Sequence, residues 1–300
     1  MQIPHIPVLF NEVLKAFESV NEGFIIDCTL GYAGHSEGLL QHNNTIKLIG
    51  NDQDEEALNF SENRLKPFES RVIFNKGNFE NVLNSFKEYP IKGILADIGV
   101  SSLQLDKQER GFGFESPTLD MRMNQEQTLN AAYVVNHYSQ EQLEQVLKEY
   151  GEVKEYKKAA SLIIKNRPFS SAKELSALLA SKMHKGKIHP ATLIFQGIRI
   201  EVNDELGVLE RLFDSIEAIK PKECIVAIIS FHSLEDRIVK NYFKKWSKSC
   251  ICPEGVFRCL CGNNNALGKI ITKKPIIPTA HEIKTNPRSR SSKLRIFKFD

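Results

Sequence analysis

The stretch Phe24-Ile25-Ile26-Asp27-Cys28-Thr29-Leu30-Gly31-Tyr32-Ala33-Gly34-His35 decides the fold class. Phe24 to Cys28 form a short apolar run that carries an acid near its end, the pattern of a buried strand. The glycine-bearing turn Leu30 to His35 then opens a helical stretch containing Leu39 and Leu40. Working outward, Lys47 to Asp52 reads as a second strand and Glu55 to Leu65 as a second helix. Val72-Ile73-Phe74 and Gly93 to Asp97 supply a third and a fourth strand. Strands alternating with helices of these lengths predict an α/β fold built on a parallel, doubly wound sheet.

The alternation stops after Asp97 and resumes near residue 205. Ser139-Gln140-Glu141-Gln142 has the form of a capping box ahead of Leu143, Val146, Leu147 and Tyr150 at helical spacing, and Gly151 ends the run. Ser171-Ala172-Lys173-Glu174 repeats the pattern before Leu175, Leu178 and Leu179. These signals predict an inserted all-helical domain, with boundaries at 1–106, 107–205 and 206–300. Beyond it, Leu206, Leu209, Phe213 and Ile216 mark an amphipathic helix that leads to a fifth strand, Cys224 to Ile229. A helix from Leu234 to Trp246 follows, and Leu294 to Phe297 suits a final antiparallel strand. Residues 262–292, rich in Lys, Pro, Ser and Asn, read as loop.

Composition sets the class. The chain has 300 residues, 41% of them hydrophobic and 26% charged, which describes an ordinary globular protein and excludes a disordered or fibrous one. No apolar run approaches the ~20 residues of a membrane helix. The opening Met-Gln-Ile-Pro-His has neither a basic nor an apolar leader region, so a cytoplasmic location is expected. The net charge of +3 hides a split: residues 240–300 hold 14 Lys and Arg against 3 Asp and Glu, or +11, and the preceding 239 residues carry −8. A basic C-terminal fifth behind an acidic body suits a polyanionic partner, although a solvated Lys-rich surface has the same signature.

In an open parallel sheet the ligand lies at the carboxyl ends of the strands, beside the first strand–helix turn. Asp27, Asp52 and Asp97 end the first, second and fourth strands. An acid ending the second strand, about 20 residues past the glycine turn, suits ribose hydroxyls and so an adenosine-type cofactor. The turn Gly31-Tyr32-Ala33-Gly34-His35 lacks the G-x-G-x-x-G spacing that cradles a pyrophosphate. A cationic methyl donor, S-adenosylmethionine, therefore suits the acids better than a nicotinamide dinucleotide. Strand-end acids also serve as helix caps, and these features alone leave the dinucleotide open.

Longer strings carry a resemblance. They include His5-Ile6-Pro7-Val8-Leu9, Asp27 through Ser36, Asp97-Ile98-Gly99-Val100-Ser101-Ser102-Leu103-Gln104-Leu105-Asp106 and Arg110-Gly111-Phe112-Gly113-Phe114. Leu119-Asp120-Met121-Arg122-Met123, His189-Pro190-Ala191-Thr192, Phe195 through Leu206, Ser230 through Arg237 and Asn286 through Ser291 complete them. In these the chain resembles, over nearly its whole length, the small-subunit rRNA methyltransferase H family. The resemblance implies a Rossmann-like sheet that binds S-adenosylmethionine, and methylation of N4 of a cytidine in the decoding region of bacterial 16S rRNA. The partner implied is 16S rRNA or the small ribosomal subunit, met by a monomer or homodimer. The resemblance implies a cofactor site of Ala33, Gly34 and His35 in the first turn, Asp52 on the ribose, Phe79 beside the adenine, and Asp97 and Gln104 nearer the methionine end. Asp27 would support this site from behind. A non-catalytic rRNA-binding or assembly factor that retains a cofactor pocket is the alternative reading.

This sequence departs from the family pattern at three places. Ala33 stands where Gly is usual, which strains the backbone if the position needs a positive φ. Leu103 replaces the Pro before Gln104. Leu193-Ile194 replaces Arg-Thr after His-Pro-Ala-Thr, so no cationic contact is carried over to that position.

The exocyclic amine of cytosine is a poor nucleophile because its lone pair is delocalised into the ring. Its methylation needs in-line placement and an acceptor for the amine protons. Asp97 is the candidate for that catalytic or positioning role, and binding the cofactor alone is its competing role. His232, after the fifth strand, is the candidate for contact with the target base or its phosphate. Ser233 is read as the cap of a helix beginning at Leu234, with Glu235 and Asp236 complementing the helix dipole. Phe112 and Phe114 would either stack on an unstacked base or anchor the insert, and Met121-Arg122-Met123 and Arg199 to Asn203 would serve substrate contact or packing. Arg288, Arg290, Lys293 and Arg295 would guide phosphates toward the fifth-strand end.

Cys28 and Cys224 lie in strand-like runs and read as core. Cys250-Ile251-Cys252 and Cys259-Leu260-Cys261 have a C-x-C…C-x-C spacing, whereas zinc sites more often use C-x₂-C pairs. Four close thiols in a reducing compartment favour metal over disulfide. Methyl transfer needs no catalytic metal, and no metal ligand is assigned on sequence grounds.

Overall fold

A computed structural model describes residues 6–184, 188–253, 255 and 258–300, with the side chains of residues 102 and 103 excepted. His5 of the first resemblance string and the side chain of Leu103 lie outside the described residues. The chain divides into two compact units, residues 1–99 with 207–300, and residues 100–206. The first break thus follows Gly99 rather than Asp106.

The first unit holds α1 (Phe10–Ala16), β1 (Phe24–Asp27), α2 (Gly34–His42), β2 (Lys47–Asp52), α3 (Glu55–Leu65), β3 (Val72–Lys76), α4 (Val82–Ser85) and β4 (Ile91–Asp97). The second holds α5 (Ser102–Asp106), α6 (Ala131–His137), α7 (Gln140–Glu149), α8 (Tyr156–Lys165), α9 (Ala172–Lys182) and α10 (Ala191–Asn203), with α11 (Glu205–Ile219) beginning at the second break. The chain then returns to the first unit with β5 (Ile225–Ser230), α12 (Ser233–Trp246), β6 (Gly268–Ile270), α13 (Ala280–Thr285) and β7 (Lys293–Phe299).

The seven strands form one sheet in the order β3-β2-β1-β4-β5-β7-β6. The first five run parallel, and β7 lies antiparallel between β5 and β6. Every residue of β1 and of β5 is buried, as expected of strands covered on both faces. Period-two alternation distributes them between two cores. Ile26, Ile49, Ile94, Val226 and Ile228 face a cluster that contains Phe213, Phe243, Trp246 and Phe297. Their neighbours Ile25, Leu48, Leu95, Ala227 and Ile229 face Leu9, Val13, Leu39 and Leu40 on the other side.

The second unit is helical among the described residues and has a core of its own. The capping box at Ser139 and Gln142 forms. At Ser171 only half of it does: the Ser171 hydroxyl accepts the Glu174 N–H, and the Glu174 carboxylate turns to the N–H of Ser170. A Cβ on Gly197 of α10 would lie 2.9 Å from the Gly151 nitrogen, so the stop after α7 and the crossing helix meet backbone to backbone. Residues 262–292 are not all loop, since β6 and α13 fall within them. The reason is pairing at a distance: β6 forms on the edge that β7 presents. Among the described residues no helix is long and apolar enough to cross a membrane.

Candidate active site

The site is built at the carboxyl end of the sheet in the first unit. After β1 the chain turns with Gly31 at φ 50 and Ala33 at φ 56, and Ala33 is the left-handed cap of α2. Ala33 therefore occupies the strained conformation that glycine adopts without cost. A Cβ at Gly34 would lie 2.4 Å from Pro7 Cγ, so the residue packs directly under the N-terminal segment. The His35 imidazole turns the same way: its Nε2 lies 2.8 Å from the Val8 carbonyl, and the side chain is buried. His35 thus ties the N-terminal segment to the turn.

Asp27 is buried, accepting the Ser36 hydroxyl at 2.6 Å and the Thr29 N–H at 3.2 Å. Asp52 accepts the Gly31 N–H at 2.8 Å and the Asp54 N–H at 2.9 Å, which joins the end of β2 to the turn after β1. Between them stands Asn51, whose amide donates to the carbonyls of Cys28 and Gly77 and accepts from Asn75. This clamp had no sequence signal, because an Asn inside a strand pattern looks like an ordinary polar residue. Phe79 starts a short 3-10 turn after β3, half-buried and packed against the core.

Asp97 ends β4. Its backbone N–H donates to the Thr29 hydroxyl at 2.7 Å, but its buried Oδ1 has no hydrogen-bond partner among the described residues. Burial, reinforced by the nearby acids Asp27 and Glu235, pushes the Asp97 carboxyl up to about 8. Burial likewise pushes Asp27 and Asp52 up to about 6. A positive charge or proton donors placed among these acids would favour their ionised forms.

The fifth strand brings the second candidate. His232, not Ser233, holds the N-cap position of α12, which begins at Ser233. Glu235 does not serve the helix dipole at the surface. It is fully buried and accepts the N–H groups of Phe231 at 2.8 Å and His232 at 3.3 Å. Its other oxygen lies 2.8 Å from His232 Nε2, and the imidazole is itself largely buried. Beside this turn lies a pocket of about 250 Å³ lined by Phe231, His232, Ser233, Ile277, Pro278, Ile283 and residues Arg290 to Lys293.

The remaining candidates have protein partners. Gln104 belongs to the second unit, where its Oε1 accepts the Ser101 N–H at 3.0 Å. Phe112 is buried in the core of that unit, and Phe114 packs on Phe195 and His189. Neither is an exposed stacking platform. Arg122 is clamped by both oxygens of Asp120, and Asn203 bridges Met121 and Met123, so both strings are held within the insert. Arg199 is paired with Glu205 at 2.7 and 2.9 Å. Arg295 is buried against Asp236 at 2.7 and 3.2 Å and is an internal ion pair rather than a phosphate guide. Sequence could not separate it from its exposed neighbour Arg290, because Arg295 is drawn inward by Asp236, 59 residues away, while Arg290 stands in the 3-10 turn ahead of β7.

Residues 2–300 match the model of the MraW methylase family. The chain belongs to the MraW methylase family. Among its relatives, the protein named ribosomal RNA small subunit methyltransferase H in Aliarcobacter butzleri is 76% identical over 300 residues, covering 100% of both chains. The protein of the same name in Sulfurimonas denitrificans is 58% identical over 98% of each chain. One from Campylobacter jejuni is 53% identical, covering 100% of this chain and 98% of that one. As a member of the MraW methylase family the chain is a methyltransferase whose donor is S-adenosylmethionine, which closes the dinucleotide alternative. The residues present fit that donor. The unpaired Asp97 oxygen stands among like charges that a cationic ligand relieves, and Asp52 retains acceptor capacity beyond the two N–H groups it holds.

Proposed function

We propose that the chain methylates N4 of a cytidine in the decoding region of 16S rRNA, in the cytoplasm, with S-adenosylmethionine held at the carboxyl end of its parallel sheet. Relatives matching over the full length and named as small-subunit rRNA methyltransferases support the rRNA substrate. The observation that carries the chemistry is the buried, unpartnered Oδ1 of Asp97.

When bound, S-adenosylmethionine supplies an electrophilic methyl group on a sulfonium. The turn from Gly31 to His35 would bring backbone close to the donor, Asp52 would meet its ribose, and Phe79 would serve its adenine. Asp97 has two tasks. Its negative charge complements the cationic donor, and its free oxygen accepts a proton of the target amine so that the nitrogen lone pair turns out of the ring. Methylation, in which the donor's S–CH3 bond would break as the N–CH3 bond forms, costs the amine one proton, for which Asp97 would be the nearby base. His232, at the N-cap of α12 beside the pocket, orients the target nucleotide from the turn after β5. Arg290 and Lys293, which line the adjoining pocket, attract the RNA backbone.

The test is mass mapping of 16S rRNA fragments after incubation of naked rRNA or small subunits with the protein and S-adenosylmethionine. A single methyl gain on N4 of one cytidine is expected, abolished by Asp97→Ala in protein that still binds the donor. No methyl gain on any cytidine in either substrate overturns the reading. Donor-independent protection of the RNA without methylation would instead establish the assembly role.

A further inference from the structure

One side-chain cluster takes no part in methyl transfer. Past the end of α12, the Sγ atoms of Cys250, Cys252, Cys259 and Cys261 all lie within 4.8 Å of one another. Cys250 is 3.7 Å from Cys259 and 3.8 Å from Cys261, and Cys259 is 3.5 Å from Cys261. All four are free thiols. Sulfurs at tetrahedral angles around zinc, each at ~2.3 Å, stand ~3.8 Å apart, which is the spacing seen here.

The backbone is arranged for thiolates. Ile251, which follows the first cysteine of one pair, donates its N–H to Cys261 Sγ at 3.3 Å. Leu260, which follows the first cysteine of the other pair, donates its N–H to Cys252 Sγ at 3.3 Å. The reciprocity gives the two C-x-C pairs an approximate twofold relation. Hydrophobic burial does not organise this segment, because Ile251 and Leu260 are 61% and 82% exposed. Apolar side chains turned outward, with four sulfurs gathered at a surface that buries none of them fully, are the reverse of a small core.

We propose that Cys250, Cys252, Cys259 and Cys261 bind one structural zinc ion. On binding, the four thiols release their protons and the ion completes a tetrahedral Cys₄ centre with no open position for catalysis. The clip joins the exit of α12 to the edge of the sheet. The Asn265 side chain donates to the carbonyls of Ser249 and Cys261, and the Leu267 N–H donates to Trp246 just ahead of β6. The ion thereby does for this loop what an apolar core does elsewhere.

The full chain, purified under reducing conditions without added metal, is to be assayed by mass spectrometry for bound metals and by thiol titration. One zinc per chain is expected, with the four thiols unreactive until a strong chelator is added. Zinc content should fall about tenfold or more in Cys252→Ser/Cys261→Ser. X-ray absorption of the unaltered protein should report four sulfur neighbours at ~2.3 Å, a readout that does not depend on the variant folding. Zinc near zero with freely reactive thiols, zinc retained by the double variant, or a count showing the four sulfurs oxidised in pairs would each overturn the proposal.

Discussion

Oε1 of Glu235 lies 2.8 Å from Nε2 of His232, and the carboxylate's second oxygen receives the N–H groups of Phe231 and His232. A single buried acid thus holds the backbone of the turn after β5 and lies against its imidazole ring. Removing the carboxylate leaves two inward N–H groups without an acceptor. Glu235→Ala is expected to lose ~2–4 kcal/mol in urea denaturation, and Glu235→Gln, which keeps one acceptor oxygen, about half of that. An alanine variant as stable as the parent would show that the turn holds itself.

The carboxyl of Asp97, pushed up to about 8, links stability to pH. The unfolded chain releases this proton near pH 4, whereas the ligand-free folded chain keeps it until about pH 8. The folded state therefore loses stability as pH rises between those values. Asp97→Asn should be more stable than the parent at pH 8 by on the order of 2 kcal/mol, the gain shrinking toward pH 5. Thermal melting at the two pH values checks this; an equal gain at both would remove ionisation as the cause.

Donor binding should show the same group from the other side. A cation favours the ionised carboxylate, so affinity for S-adenosylmethionine should strengthen as pH rises from 6 to 8, by up to about tenfold per unit. Calorimetry in buffers of different ionisation enthalpy should find a proton released on binding near pH 7. Binding that weakens over this range would place the donor away from Asp97.

Ala33 sits at φ 56 and is fully buried. The left-handed conformation costs an L-residue roughly 1–2 kcal/mol, partly offset because glycine adds freedom to the unfolded chain. Ala33→Gly should therefore raise stability by about 0.5–1 kcal/mol, read as a higher melting midpoint. Ala33→Val should lower it. A glycine variant that melts earlier would mean that the alanine methyl packs better than the backbone is strained.

Arg295 is buried against Asp236 and holds that carboxyl below its usual range despite burial, which alone would raise it. Asp236→Ala should cost ~3 kcal/mol by stranding the guanidinium, and Arg295→Met added to it should recover much of that loss. A double-mutant cycle measures the coupling; additive losses would mean that the pair is unlinked.

Arg290 is exposed at the pocket beside His232. Arg290→Ala should weaken rRNA binding and reduce the slope of log affinity against log salt by about 0.7–0.9, leaving donor affinity unchanged. An unaltered slope would remove this pocket from the RNA path.

Much of the architecture was legible because it rests on local pattern. Apolar runs ending in acids at Asp27, Asp52 and Asp97 announce strands whose ends face a ligand, and capping residues such as Ser139 announce helices. The strand β6 was invisible because a Gly-Lys-Ile tripeptide has no strand signal until β7 gives it a partner. Glu235 was misplaced for a related reason: an acid in the first turn of a helix looks like dipole compensation until the preceding loop folds back onto it.

By itself, then, the sequence determined the five parallel strands, the inserted helical stretch and the acids at the carboxyl edge, because periodicity and turn chemistry act over a few residues. Only the tertiary structure decided the state of those acids. Asp27 and Asp52 are tied to the turn while Asp97 keeps an unsatisfied oxygen, Asn51 locks the strand ends, and Arg295 is consumed by Asp236. Burial and pairing depend on which residues meet across long stretches of chain, and these set charge, proton affinity and access.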